Sequence, residues 1–171
     1  APLFSRNSTS RTFSKAFSKA ALENGMDLVL ELPAVLTLQS AERYARNAVY
    51  TLHALGCIHT LFFGAECPDT EVLLRIAQVL HDEDVPFSAQ LQAGLSAGLS
   101  FAAARAAAVK SVIGSASAAL LSLPNNILAV EYCKALLKFQ SPIIPAALAR
   151  TGPGHDLDTP KDGFASASAI R

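Results

Sequence analysis

The fold is decided by the stretch from Ile58 to His81, which reads IHTLFFGAECPDTEVLLRIAQVLH. Its first six residues, 58–63, form a short apolar run that is typical of a buried parallel strand, and Gly64 is predicted to end that strand. From Pro68 to His81 the apolar side chains recur every three or four residues, which predicts an amphipathic helix. A strand followed at once by a helix is the unit from which parallel sheets with right-handed crossovers are built.

The same pattern precedes this stretch. The apolar run Asp27–Pro33 predicts another buried parallel strand, and a helix is predicted before it, at about 13–24, with Gly25 at its end. Ser40 is expected to cap a helix whose apolar positions lie between 41 and 55. The alternation of helix and strand therefore favours an α/β fold with a parallel sheet.

The amino-acid composition changes after the predicted helix 68–81. Residues 87–120 are rich in Ala, Ser, Leu and Gly without a strand pattern, and we expect two or three helices that form an added layer over the sheet. Asn126 is predicted to cap a helix over 127–138. Residues 141–149 predict a strand near a sheet edge, because its prolines cannot donate to a central ladder, and residues 151–165 predict a loop.

Composition narrows the class of protein. The chain has 171 residues, 51% of them hydrophobic, which is enough for one domain with a sizeable core. The 14 basic residues balance the 14 acidic ones, so the chain as a whole exerts no pull on RNA or on a membrane surface. The three cysteines, Cys57, Cys67 and Cys133, are interpreted as reduced, buried thiols of a cytoplasmic protein. The spacing of His, Cys, Asp and Glu predicts no metal site, and no apolar run is long enough to cross a membrane.

Two segments carry polar groups at positions where ligands bind. Gly64 and Glu66 follow a predicted strand, where the glycine lets a nucleotide approach the backbone and the carboxylate could bind a ribose hydroxyl or a metal-bound water. An ordinary turn is the alternative. Asn125 and Asn126 form a pair of amides at a helix start, although a cap needs only one. The second amide suits a purine edge or a ribose, unless the pair is only a turn and a cap.

Further candidates lie toward the C-terminus. Arg150 ends the last predicted strand, and its guanidinium suits a phosphate. His155 and Asp156 follow in a loop, where the imidazole is either an acid–base group or simply solvated. Arg105 is a single charge in an alanine-rich helix, and it faces either a pocket or the solvent.

The pattern Ser166, Ser168 and Arg171 places two hydroxyls and a guanidinium at a predicted helix start. Free N–H groups at such a start favour an anion, so these residues are candidates for phosphate binding.

Taken together, these stretches resemble the tRNA cytidine acetate ligase family of nucleotidyltransferase-like proteins, from about Ser14 to Arg171. The order and spacing of the matching segments carry the resemblance. They are ALENGMDLVLELP at 21–33, QSAE at 39–42, AR at 45–46 with ALG at 54–56, FFGAE at 62–66, PNNIL at 124–128 with EY at 131–132, Arg150, the pair 155–156, and SASAIR at 166–171.

The resemblance implies a Rossmann-like parallel sheet of the HIGH-type nucleotidyltransferase superfamily with an added helical layer. It implies ATP, with Mg²⁺ as part of the substrate complex, acetate, and elongator tRNA(Met) as partners. Acetyl-adenylate would form first, and the acetyl group would then pass to N4 of the wobble cytidine. Gly64, the pair Asn125–Asn126 and Arg150 are implied as ATP contacts, and 166–171 as a phosphate-binding motif.

The chain also departs from the family pattern. The family opens with a strand and a loop bearing two histidines around a glycine, and this sequence contains no such segment. The stretch before Ala21 also matches the family poorly. We therefore expect 1–20 to be a disordered lead and 21–171 to be a catalytic domain that is incomplete at both ends, in a fragment or a truncated gene product. Two alternatives to the ligase stay open, a non-catalytic nucleotide-binding module and a nucleotidyltransferase with another acceptor.

Overall fold

The computed structural model describes residues 8–150, with the side chains from residue 15 onward. The chain divides into two compact units, Ala1–Leu38 and Gln39–Arg171. The described part of the first unit contains α1 (Ser8–Glu23) and the short α2 (Ala34–Thr37). The helix predicted at 13–24 is thus confirmed, but it begins earlier, at Ser8, so residues 8–20 are helical and not the disordered lead expected there. Gly25 ends the helix with a left-handed φ of 93°, which glycine adopts without strain.

The strand predicted at 27–33 does not form. Residues 28–33 carry no regular secondary structure, and the side chains of Leu28 and Leu30 are 68% and 51% exposed. A strand is stabilised by a hydrogen-bonded neighbour, and residues 8–150 supply none for this segment. The prediction was wrong because an apolar run shows what a segment could bury but not whether a partner strand lies beside it.

The second unit contains helices and strands in the order that the sequence predicts, with five helices between its two strands. Its elements within the described range are α3 (Ala41–Leu55), β1 (Thr60–Ala65), α4 (Thr70–Asp82), α5 (Val85–Ser96), α6 (Phe101–Ile113), α7 (Ser115–Leu120), α8 (Pro124–Lys138) and β2 (Ile144–Ala149).

The two strands of this unit pair in parallel, from Thr60 opposite Ile144 to Ala65 opposite Ala149. The prediction of parallel strands is confirmed, but β1 does not end at Gly64, which stays in the ladder opposite Leu148. Because both strands run in the same direction, their carboxyl ends lie at the same edge of the sheet.

The core of the second unit lies around helix α8, which packs against α3, α4 and β1. Buried side chains from five elements meet there: Phe63, Leu73, Ile76, Phe87, Val109 and Val130. The added helices are also confirmed, but they lie against α4 and not directly over the sheet: α5 and α6 pack on each other, and α6 contacts α4. Hydrogen bonds to Glu66 hold the start of α8 beside the carboxyl end of β1.

The predicted cap of α3 is confirmed, whereas the predicted cap of α8 is not. Ser40 caps α3 by accepting a hydrogen bond from the N–H of Arg43, as predicted. Asn126, predicted as the cap of α8, lies instead in its first turn, because the helix begins two residues earlier at Pro124. A proline fits the first helical position, where its missing N–H is not needed. Within residues 8–150 no helix has the length and apolar character needed to cross a membrane.

Candidate nucleotide-binding site

Two polar side chains follow the paired strands at the same edge of the sheet. Glu66 comes directly after β1, and Arg150 comes directly after β2. The backbone N–H of Arg150 donates to the carbonyl oxygen of Ala65 over 3.0 Å, so the strand pairing extends to this point. Open α/β sheets bind ligands in the crevice at this edge.

Gly64 lies beneath the side chain of Arg150. A Cβ atom at Gly64 would lie 3.2 Å from Cγ of Arg150 and 3.8 Å from its Cδ. The first of these separations is tighter than an ordinary carbon–carbon contact. The glycine therefore lets the aliphatic stem of Arg150 cross β1 closely.

The carboxylate of Glu66 holds the start of helix α8. Its Oε2 accepts a hydrogen bond of 2.8 Å from the backbone N–H of Asn126, and its Oε1 accepts one of 3.3 Å from the backbone N–H of Asn125. The first N–H groups of a helix have no partner within the helix, so an anion placed there is stabilising.

Asn125 joins the two ends of the site. Its Nδ2 donates to Oε1 of Glu66 over 2.6 Å, and its Oδ1 accepts a hydrogen bond of 2.9 Å from Nη1 of Arg150. Glu66, Asn125 and Arg150 thus form a continuous hydrogen-bonded chain from the end of β1 to the end of β2.

The electrostatics of Glu66 follow from these contacts. Partial burial raises the pKa of its carboxyl, but the donors of Asn125, of its own backbone and of Asn126 outweigh that effect, so the pKa lies below its ordinary value. The carboxylate is therefore charged at neutral pH.

A cleft of about 340 Å³ opens beside this chain of hydrogen bonds. Asn125 and Arg150 form its polar end, while Phe62, Leu128 and Tyr132 line the rest. Burial, followed by the neighbouring Tyr44, raises the pKa of the Tyr132 hydroxyl, which stays neutral at physiological pH. A guanidinium beside an apolar, aromatic wall suits a ligand with a phosphate and a planar ring.

A family model described as HIGH Nucleotidyl Transferase matches residues 11–171. The chain belongs to the HIGH nucleotidyltransferase family. Among solved structures, it is similar to Thermotoga maritima TmcAL in the apo form, with a TM-score of 0.84 and 34% identity over 90% of this chain and 37% of that one. The form of TmcAL bound with alpha-thio ATP gives a TM-score of 0.80 and 33% identity, over 90% of this chain and 36% of that one.

Relatives named tRNA(Met) cytidine acetate ligase are also similar to this HIGH nucleotidyltransferase. The protein from Clostridium kluyveri is 40% identical over 161 residues, which are 90% of this chain and 40% of the relative. The one from Clostridium novyi is 38% identical over 153 residues, 88% of this chain and 38% of the relative. The chain thus spans about two fifths of the length of these relatives.

Of the residues singled out in the sequence, the structure brings Gly64, Glu66, Asn125 and Arg150 of this HIGH nucleotidyltransferase together. Asn126 is fully buried behind them, where its Oδ1 accepts from the backbone N–H of Cys67 over 2.8 Å. Its Nδ2 has no hydrogen-bond partner within the described part of the chain. Asn126 thus holds the loop after β1 on helix α8.

Arg105 does not line the cleft of this HIGH nucleotidyltransferase. Its Nη2 lies 2.6 Å from Oε1 of Glu131, whose side chain is only 2% exposed. Lys134 lies 3.2 Å from the other oxygen of Glu131 and 2.7 Å from Glu42. Arg105 therefore joins α6 to α8 by a partly buried ion pair.

Five further candidates cannot be placed relative to the cleft. His155, Asp156, Ser166, Ser168 and Arg171 lie outside the described residues.

The cysteines only partly match the expectation of buried thiols. Cys133 is buried, and burial raises the pKa of its thiol to about 12, whereas Cys67 is half-buried and Cys57 is exposed. Cys57 is exposed because it lies in the connection between α3 and β1 rather than on a packed face. Within residues 8–150, no three side chains of His, Cys, Asp or Glu are grouped to hold a metal ion.

The sequence did not single out the apolar residues that line the cleft, among them Phe62 and Tyr132. Phe62 is 62% exposed although it lies in an apolar strand, and Tyr132 packs on Phe63 with ring centroids 5.6 Å apart. The only available signal is that FFGAE and EY both belong to the segments that carry the family resemblance.

Proposed function

We propose that this chain is the ATP-binding part of an ATP-dependent ligase that activates acetate and transfers the acetyl group to N4 of the wobble cytidine of elongator tRNA(Met). The single observation that supports it best is the convergence of Arg150 and Asn125 over Gly64, at the carboxyl edge of a parallel sheet. The ligase names of the relatives and the alpha-thio ATP bound to Thermotoga maritima TmcAL point to the same chemistry.

The proposed reaction has two steps. An oxygen of acetate attacks the α-phosphorus of ATP, the bond to the bridging oxygen breaks, and pyrophosphate leaves with its electron pair. The N4 amine of the cytidine then attacks the carbonyl carbon of acetyl-adenylate, AMP leaves, and the nitrogen loses a proton. Arg150 is suited to the first step because a fixed guanidinium stabilises negative charge that develops on phosphate oxygens.

Mg²⁺ enters this proposal as part of the ATP complex. The described residues offer no cluster of metal ligands, and Mg²⁺ in such sites is held largely by substrate phosphates and water. Because the chain carries equal numbers of basic and acidic residues, tRNA would bind a local basic surface or another part of the protein. A substrate of this kind places the proposed enzyme in the cytoplasm.

The test is made on the complete ligase that carries this chain: acetate-dependent exchange of labelled pyrophosphate into ATP, which reports acetyl-adenylate formation without tRNA. We expect exchange in the presence of acetate, a loss of roughly 100-fold or more in Arg150→Met, and unchanged exchange in Arg75→Met. Arg75 is the matched control because it is an exposed arginine on α4.

The outcomes separate the candidate functions. ATP binding without exchange would contradict the ligase and identify a non-catalytic nucleotide-binding module. Acetate-dependent exchange without transfer to tRNA(Met) would indicate a nucleotidyltransferase with another acceptor.

A further inference from the structure

Glu66 follows a strand where a ligand contact is expected, yet its carboxylate is directed at the protein. Oε1 accepts from Nδ2 of Asn125 over 2.6 Å and from its backbone N–H over 3.3 Å, and Oε2 accepts from the backbone N–H of Asn126 over 2.8 Å. Three donors at the start of α8 therefore bind the two oxygens. These contacts direct the carboxylate at the start of α8, and Glu66 is not among the residues that line the cleft.

Both polar atoms of the Asn125 amide form hydrogen bonds. Its Nδ2 donates to Glu66, and its Oδ1 accepts from Nη1 of Arg150. A flipped amide would place its oxygen against a carboxylate and its two N–H groups against a guanidinium, and both contacts would be repulsive. The negative charge of Glu66 thus fixes which way the amide points, and the amide in turn supplies the acceptor for Arg150.

We propose that Glu66 is a positioning residue that acts through Asn125 to hold the guanidinium of Arg150 at the cleft. It does not bind the nucleotide itself. The expected effect on ATP affinity rests on the proposed function, whereas the expected effect on the orientation of the Arg150 guanidinium does not.

The benefit of this arrangement is preorganisation. An arginine side chain that is free to rotate loses conformational entropy when it binds a phosphate, and a side chain already held in place loses less. Gly64 complements the arrangement, because it leaves room for the stem of Arg150 to lie across β1.

The variant that tests this is Glu66→Gln. It keeps the length of the side chain but replaces one acceptor oxygen by an NH₂ group, which must then face either the N–H of Asn126 or the donors of Asn125. The matched control is Glu71→Gln, an exposed carboxylate in the first turn of α4. Because Glu66 is itself exposed, we expect both variants to remain folded, which circular dichroism checks.

Two measurements are made on these variants. Nitrogen-15 NMR follows rotation of the Arg150 guanidinium without nucleotide, and calorimetry measures ATP affinity. In Glu66→Gln we expect the rotation to accelerate and the affinity for ATP to fall about 10-fold. Glu66→Asp, which keeps the charge on a shorter stem, should recover part of both. In an Asn125→Ala background, Glu66→Gln should have no further effect on affinity, since the connection to Arg150 is already cut.

Each outcome decides the proposal. Unchanged rotation of Arg150 in Glu66→Gln would overturn it. Independent, additive losses of affinity from Glu66→Gln and Asn125→Ala would also overturn it, because they would mean that Glu66 contacts the nucleotide directly. Failure of the wild-type chain to bind ATP would contradict the proposed function instead, and the NMR result alone would then decide whether Glu66 positions Arg150.

Discussion

At the scale of single residues, Asn125 and Asn126 show how adjacent amides take different roles. Asn125 faces Arg150 and the cleft, whereas Asn126 is buried and bonds to the backbone of Cys67. The sequence shows that two amides exceed the need of a helix cap. It could not assign their roles, because their partners in the loop after β1 lie 59 or more residues away in the chain.

Replacing Asn126 by alanine should destabilise the protein. The N–H of Cys67 would lose its acceptor in a part-buried position, which costs about 1–3 kcal/mol. Urea unfolding measures the change, and Gln90→Ala at an exposed position of α5 serves as the control, with a change within about 0.5 kcal/mol. An Asn126→Ala variant as stable as its control would show that Cys67 finds another acceptor.

At the scale of elements, the apolar runs at 27–33 and 58–63 illustrate what periodicity can predict. Both have the length and composition of a strand, but only the second lies beside a partner, Ile144–Ala149. Helices were predicted more accurately because their hydrogen bonds are local. The prediction of a strand depends on contacts that the local sequence does not contain.

The close packing of α5 on α6 depends on Gly94. A Cβ there would lie 3.0 Å from Cβ of Ala104 and 3.2 Å from its Cα, and the second is a backbone atom that cannot move aside alone. Alanine normally favours a helix interior over glycine by about 1 kcal/mol. We nevertheless expect Gly94→Ala to destabilise the protein by about 1–3 kcal/mol, because the two helices must separate.

Thermal and urea unfolding check this prediction, with Gln92→Ala on the same helix as the control. A more stable Gly94→Ala variant would mean that helix propensity outweighs the contact.

At the scale of the whole second unit, Arg105 ties the helical layer to the core through Glu131. Removing one partner of a buried ion pair leaves an uncompensated charge, which typically costs about 3–5 kcal/mol. Lys134 still lies beside Glu131 and partly compensates its charge. Arg105→Met should therefore lower the free energy of unfolding by about 3 kcal/mol or less. The double variant Arg105→Met with Glu131→Met should be more stable than Arg105→Met alone, as measured by urea unfolding. A double variant that is less stable would contradict this reading.

The stability of the same unit should depend on acid pH through Glu42 and Glu66. Hydrogen bonding by Lys134 holds the pKa of Glu42 below its ordinary value. The donors around Glu66 outweigh its burial, so the pKa of Glu66 is lowered as well. A carboxyl whose pKa is lower in the folded state stabilises it above the unfolded pKa, and this is lost as the pH falls through the folded value.

Urea unfolding from pH 7 to pH 3 tests this linkage. The free energy of unfolding should decline below a pH of about 4.5, and less steeply in the double variant Glu42→Gln with Glu66→Gln. Equal slopes in the wild type and the variant would refute the assignment.

Gly64, Asn125 and Arg150 form the proposed nucleotide site, and calorimetric titration with ATP and Mg²⁺ tests this site most directly. The wild-type chain should bind ATP one-to-one, and Thr60→Val, at the far end of the same strand, should bind equally well. Gly64→Val should bind at least about 10-fold more weakly, because its side chain would occupy the place of the Arg150 stem. A folded wild-type chain that does not bind ATP, or a Gly64→Val variant with unchanged affinity, would contradict the site.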